Sequence, residues 1–277
     1  MRPQNIKIWS ENNDFQHVEV LRRNREKRQR HREFFVEGVK AIDLCIKCGW
    51  TITTFIHSSE RHLSNWATAI LNSSTAERHL VMPQALLEKL SDKNDTSELL
   101  ALVEMPADDL DRIQLGQRPL VVVLDRPSSP GNLGTILRAA NAMRVDGVVI
   151  TGHSVDLYDP KTIRASVGTL FCTPVVRVES SKALEPWILR IKVETATIVV
   201  GTSARAPAVL AEHDFAQPTL LLFGNETSGL SSHCRSLCDT TVTIPIHGAA
   251  SSLNVACAAS ITLYEVDRQR RSSDHGH

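Results

Sequence analysis

Phe223-Gly224-Asn225-Glu226-Thr227-Ser228-Gly229-Leu230 follows an apolar run, Thr219-Leu220-Leu221-Leu222, that is short and bounded like a buried strand. A chain that leaves a strand through Gly-Asn-Glu and reaches a second glycine at Gly229 must turn tightly, and glycine alone adopts φ > 0 freely. The plan repeats downstream. Thr241-Val242-Thr243-Ile244 reads as a strand stopped by Pro245, followed by a small-residue loop and an amphipathic helix from about Ser252. Two such loops at neighbouring strand ends form the natural ligand crevice of an open α/β sheet.

Outward from this stretch, the pattern from Pro119 onward alternates strands and helices: Leu120–Leu124, a helix from Asn132, Gly147–Ile150, a helix near Lys161–Val167, Val175–Val178, a helix near Lys182–Ile191, and Thr197–Val200. Such alternation predicts a mostly parallel sheet covered on both faces. Residues 1–108 carry a separate α/β pattern, with strands at Thr51–His57, His79–Val81 and Leu99–Glu104, and a turn-rich stretch at Ser91–Asp95. The expected organisation is an amino-terminal domain at 1–108, an acidic linker containing Pro and Gly at 109–118, and a carboxy-terminal domain at 119–277.

The composition, 42% hydrophobic and 22% charged, is that of an ordinary soluble protein. Thirty-one basic residues balance 31 acidic ones, which excludes a globally basic nucleic-acid binder. Their distribution is uneven. Arg22, Arg23, Arg25, Lys27, Arg28, Arg30 and Arg32 fall within eleven residues interrupted by one acid, Glu26, so this run is a candidate phosphate contact, with a solvated helix face as the competing reading. The polar start, Met1-Arg2-Pro3-Gln4-Asn5, and the lack of a membrane-length apolar run lead to the expectation of a cytoplasmic protein with no membrane segment. Six cysteines in such a chain predict no disulfide, and Cys45-Ile46-Lys47-Cys48 lacks the second pair that a zinc site needs, so no metal is expected.

Ser128-Ser129-Pro130-Gly131-Asn132-Leu133-Gly134-Thr135-Ile136-Leu137-Arg138 reads as a strand-to-helix loop with Asn132 as N-cap. Arg138 lies roughly 140° around that helix from Leu133, away from the apolar stripe of Leu133, Ile136, Leu137 and Ala140. Neither a P-loop nor a GxGxxG is present, so a nucleotide-like ligand must be held by the loops at Gly224 and Leu253.

Asn132-x5-Arg138, Phe223-Gly224-Asn225-Glu226-x2-Gly229-Leu230 and Ile244-Pro245-Ile246-x-Gly248-x3-Ser252-Leu253-Asn254 together resemble, in order and spacing, the three motifs of the SpoU family. Members of that family are RNA ribose 2′-O-methyltransferases that use S-adenosylmethionine. The resemblance implies an α/β fold, a mostly parallel sheet with a carboxy-terminal trefoil knot of the SPOUT type, plus a small amino-terminal module similar to ribosomal protein L30. It also implies a homodimer. By the same resemblance Arg138 acts at the ribose, Asn132 and Glu226 position it, and Ser252 and Asn254 complete the catalytic pocket. Thr202, Gly224, Ile244 and Leu253 would hold the cofactor. A guanidinium keeps its proton to above about pH 12, so Arg138 is expected to orient the ribose and stabilise negative charge rather than act as a base. The implied substrate is 23S rRNA, at a uridine, with resistance to a ribosome-targeting antibiotic such as avilamycin as the implied role. The alternatives are a tRNA 2′-O-methyltransferase and a non-catalytic RNA-binding member of the fold.

Overall fold

The computed structural model describes residues 3–93 and 95–274; Met1 and Arg2 of the polar start and Asn94 of the turn-rich stretch lie outside the described residues. In chain order come β1 (Gln4–Lys7), α1 (Asn13–Arg23), α2 (Arg25–His31), β2 (Glu33–Glu37), α3 (Val39–Lys47), β3 (Ile52–Ser58), α4 (Asn65–Ser73), β4 (Arg78–Met82), α5 (Gln84–Leu90) and β5 (Leu99–Glu104). There follow β6 (Leu120–Asp125), α6 (Pro130–Ala142), β7 (Gly147–Thr151), α7 (Pro160–Ser166), β8 (Val175–Val178) and α8 (Ser181–Thr195). The last elements are β9 (Ile198–Thr202), β10 (Ala208–Val209), β11 (Thr219–Phe223), α9 (Ser232–Ser236), β12 (Thr240–Thr243) and α10 (Val255–Asp274).

The chain divides into two compact units. One comprises the chain through Ala107 together with Asp156–Cys172, and the other Asp108–Val155 and the chain from Thr173 onward. Two features differ from the expected domain boundaries. Asp156–Cys172, with α7, belongs to the first unit. The stretch expected as a linker is packed into the second, where Asp111 pairs with Arg190 at 2.7 Å and Ile113 is buried against Gly147.

The first unit holds a mixed five-stranded sheet in the order β1-β4-β3-β5-β2. Leu99 through Val103 are fully buried, as a strand covered on both faces should be. Phe15, Val18 and Leu21 recur at helical spacing along α1 and bury against that sheet.

The basic run forms the end of α1 and all of α2, and the structure corrects its reading at three positions. Arg28 is 2% exposed and pairs with Asp156 at 2.7 Å, while its Nη1 donates to the carbonyls of Leu21 and Arg22. Arg22 binds Asp92 and the Lys89 carbonyl, and Arg32 caps α2 in a left-handed conformation while donating to the Met105 and Pro106 carbonyls. These three guanidinium groups satisfy carbonyls and carboxylates within the unit rather than standing free on a solvated helix face. Arg23, Arg25, Lys27 and Arg30 are exposed.

The expectation of no disulfide is also overturned: Cys48 is bonded to Cys172, with Cα atoms 5.4 Å apart and a sequence separation of 124. The partner arrives on the Asp156–Cys172 segment, so local spacing around Cys45-Ile46-Lys47-Cys48 could not reveal it.

The second unit is a parallel seven-stranded sheet in the order β10-β12-β9-β11-β6-β7-β8. The register pairs Phe223 with Leu124, Leu222 with Gly201, and Val242 with Thr202. Four central strands therefore end at one edge, and the loops after Asp125, Thr202, Phe223 and Thr243 leave the sheet side by side. Val121, Val123, Leu220 and Leu222 pack on one face against Trp187, Ile188 and Ile191 of α8.

The buried Arg28–Asp156 pair sets a stability prediction. Removing one partner of a buried pair leaves an uncompensated charge and costs about 3 kcal/mol or more. Asp156→Ala is expected to lower the urea midpoint accordingly, whereas the double variant Arg28→Met/Asp156→Leu should recover most of the loss. An Asp156→Ala midpoint equal to wild type would show that the pair does not anchor the segment.

Candidate active site

The site is built from the three strand-end loops that follow β6, β11 and β12. The β11 loop closes on itself: the backbone N–H of Asn225 donates to the Gly229 carbonyl at 3.1 Å, and that of Gly229 returns to Asn225 at 2.9 Å. Asn225 Oδ1 accepts from the N–H groups of Thr227 and Ser228, an Asx-type turn inside the loop. The two glycines serve different needs. Gly229 has φ +66°, the left-handed region, whereas Gly224 is required by space, because a Cβ there would overlap the Gly229–Leu230 peptide.

Glu226, at the loop's crown, reaches the β6 loop. Its carboxylate accepts from the Ser128 hydroxyl (2.6 Å), the Ser128 and Ser129 N–H groups (3.0 and 3.2 Å) and Asn132 Nδ2 (3.1 Å). Burial alone would raise its pKa, but the bonds from Ser128 and Asn132 outweigh it and hold the carboxyl below the usual carboxylate range. Asn132 then passes the connection on, its Oδ1 accepting from Asn254 Nδ2 at 3.0 Å. Asn254 in turn caps α10, accepting from the N–H groups of Ala256 and Cys257. One chain of hydrogen bonds, Glu226–Asn132–Asn254, thus joins all three motif loops.

The cap of α6 differs from the sequence expectation. Ser129, not Asn132, is the N-cap, its Oγ accepting from the Asn132 N–H, with Pro130 at the first helical position. A serine followed by proline was the available signal, since proline is favoured at that position. The shift frees the Asn132 side chain to bridge Glu226 and Asn254.

A cavity of about 720 Å³ opens beside these loops, within the range of about 300–1,000 Å³ common for small-molecule sites. Thr202, Gly224, Ile244 and Leu253, the expected cofactor residues, all line it, as do Glu226 and Ser252. Thr202 donates its hydroxyl to the Leu222 carbonyl, which ties β9 to β11 beneath the cavity. The walls fit a nucleoside-sized cofactor: the missing Cβ at Gly224 gives close approach to backbone, and Leu253 and Ile244 add apolar surface. Arg138 is not among the lining residues. It lies on α6, exposed, and makes no hydrogen bond or ion pair among the described residues. No local pattern signals the parts played by Ser128 and Ser129, or by Asp125 and Arg126, whose partners lie about a hundred residues away.

Because a methyl group at position 224 must displace backbone, Gly224→Ala is expected to lower the urea midpoint and to weaken S-adenosylmethionine binding at least tenfold, measured by calorimetry at a temperature where the variant is folded. Wild-type affinity in this variant would separate the loop from the binding site.

Comparison with known proteins agrees with this geometry. The model of the SpoU rRNA Methylase family matches residues 119–264, and that of the SpoU L30e-like domain matches residues 12–101. The chain is similar to the 23S rRNA (uridine(2479)-2′-O)-methyltransferase of Streptomyces viridochromogenes, 46% identical over 96% of this chain and 93% of that one. It superposes with a TM-score of 0.90 on the SpoU methyltransferase AviRb of Streptomyces viridochromogenes in complex with the cofactor AdoMet, at 46% identity over 94% of this chain and 99% of that one. The AdoMet-bound rRNA methyltransferase from Sinorhizobium meliloti gives a TM-score of 0.83 at 26% identity, covering 96% of this chain and 98% of that one. A SPOUT-type knot in the second unit is consistent with these relatives. With its motif loops joined beside one cavity and both family models matched along it, the chain belongs to the SpoU rRNA methylase family.

Proposed function

We propose that this protein transfers the methyl group of S-adenosylmethionine to the 2′-hydroxyl of a uridine ribose in 23S rRNA. The observation that carries the reading is the Glu226–Asn132–Asn254 hydrogen-bond chain beside the cavity lined by Thr202, Gly224, Ile244 and Leu253. It is supported by the 46% identity to an enzyme named for that reaction.

The cofactor supplies a methyl group made electrophilic by its sulfonium. The chain's own residues have to bring a ribose oxygen in line with that methyl and manage the oxygen's proton. Glu226 and Asn132 fix the start of α6, and with it the direction from which Arg138 projects. The Arg138 guanidinium, exposed on that helix, would hold the neighbouring phosphate and stabilise charge growing on the 2′-oxygen. Ser252 at the cavity wall and Asn254 at the head of α10 complete the pocket. Arg23, Arg25, Lys27 and Arg30, the exposed members of the basic run, would contact the RNA backbone.

The chain would act as a homodimer. Cys257, Ile261 and Tyr264 recur at spacings of four and three along α10 and, with Leu253 just before the helix, leave exposed apolar surface. The same reading puts the protein in the cytoplasm with its rRNA and gives it a role in resistance to a ribosome-targeting antibiotic such as avilamycin.

Incubation with methyl-labelled S-adenosylmethionine and unmodified 23S rRNA or bulk tRNA, followed by mapping of the modified nucleotide, tests the reading. The expected result is label on one uridine ribose of 23S rRNA, reduced about a hundredfold or more in Arg138→Ala, from a particle that sediments as two chains. Label on tRNA alone contradicts the substrate, and full turnover by a monomer contradicts the dimer.

A further inference from the structure

Arg126 has φ 55°, a backbone conformation that glycine adopts readily and a residue with a Cβ does not. Its side chain explains why an arginine stands there. Neighbouring residues in a strand point to opposite faces, and the left-handed turn at Arg126 reverses that alternation. The guanidinium folds back over its predecessor, with Nε 3.0 Å from Asp125 Oδ1 and Nη2 3.1 Å from Asp125 Oδ2. Gly152, at the end of the adjoining strand, leaves the room for this, since a Cβ there would come within 2.9 Å of Arg126 Cγ.

From that position the same residue grips both ends of the β11 loop. At the far end Nη2 donates to the Gly229 carbonyl at 3.1 Å, and Nη1 reaches the Ser228 hydroxyl at 3.4 Å. At the near end its carbonyl accepts from Asn225 Nδ2 at 2.8 Å. Its own N–H is tied to the Thr151 carbonyl, so the grip is fixed to the sheet. Asp125 extends it past the loop, accepting from the Ser231 N–H at 2.6 Å while only 3% exposed. A surface ion pair of two sequence neighbours would need none of these three loop contacts or the buried carboxylate.

We propose that Asp125 and Arg126 are positioning residues for methyl transfer, a latch that holds the Asn225–Gly229 loop in the form that lines the cofactor cavity and presents Glu226 to Asn132. The latch rests on the methyltransferase reading for its catalytic consequence and on geometry alone for its effect on the loop. Arg126→Gly separates the two, because glycine suits the backbone and removes only the side chain. Arg126→Lys keeps the charge but loses the two-pronged geometry.

Hydrogen exchange of the loop amides, calorimetric binding of S-adenosylhomocysteine, and KM and kcat for methylation are measured on the full-length chain. In Arg126→Gly the Asn225 and Gly229 amides should exchange at least tenfold faster relative to amides in the β6 and β11 strands, which separates loosening of the loop from the lower urea midpoint expected when Asp125 loses its partner. Cofactor affinity and kcat should each fall at least tenfold, and Arg126→Lys should lie between. Unchanged exchange in Arg126→Gly overturns the latch, and faster exchange with wild-type affinity and kcat overturns its role in transfer. If the wild-type chain binds no cofactor, the methyltransferase reading fails and so does the catalytic part of this proposal, while loop exchange still decides the structural part.

Discussion

The carboxylate of Glu226 is the point on which the site depends. It accepts four hydrogen bonds from one short segment, Ser128 through Asn132, and so fixes the β11 loop against the start of α6. Two of those donors are backbone N–H groups at the head of a helix, which have no intrahelical partner and favour negative charge. The arrangement satisfies both sides at once. The turn that leads into α6 gains a partner for its N–H groups, and the carboxylate gains bonds that keep it ionised despite partial burial.

Everything around that contact follows from a parallel sheet whose central strands end together. Strands β6, β9, β11 and β12 stop at one edge, so the loops carrying Asn132, Thr202, Gly224, Glu226 and Leu253 meet without any long excursion. This is the position where open α/β sheets ordinarily bind ligands. The loops are held by side chain to backbone bonds, and the cavity they line mixes polar residues such as Thr202 and Ser252 with apolar ones such as Ile244 and Leu253. Asn132 shows the economy: released from capping α6 by Ser129, its amide serves Glu226 with one atom and Asn254 with the other.

Much of this was legible before the structure, and the rest fails for identifiable reasons. The strand at Thr219–Phe223 and the loop after it were plain from a bounded apolar run and two glycines, and the motif set named the family that the comparisons show. The sequence pattern placed β5 at its observed bounds, Leu99–Glu104. The basic run misled because a charge pattern does not tell a guanidinium facing solvent from one folded under to satisfy carbonyls; Arg28 is as buried as a core residue. Cys48 and Cys172 misled because a compartment argument says nothing of geometry, and their proximity arises only when Asp156–Cys172 joins the first unit. Gly224 was assigned to the right loop for the wrong reason, a positive φ, when the need is space. Arg126 carried no signal at all, because Asp-Arg is an unremarkable dipeptide until its partners at Ser228 and Gly229 are brought alongside.

The central claim is that three loops joined through Glu226, Asn132 and Asn254 form one cofactor-binding site. A crystal structure of the full chain with S-adenosylhomocysteine tests it most directly. The account predicts the ligand in the cavity against Thr202, Gly224, Ile244 and Leu253, with the Glu226–Asn132–Asn254 chain intact. Ligand bound elsewhere, or bound there with Glu226 detached from Asn132, would contradict it.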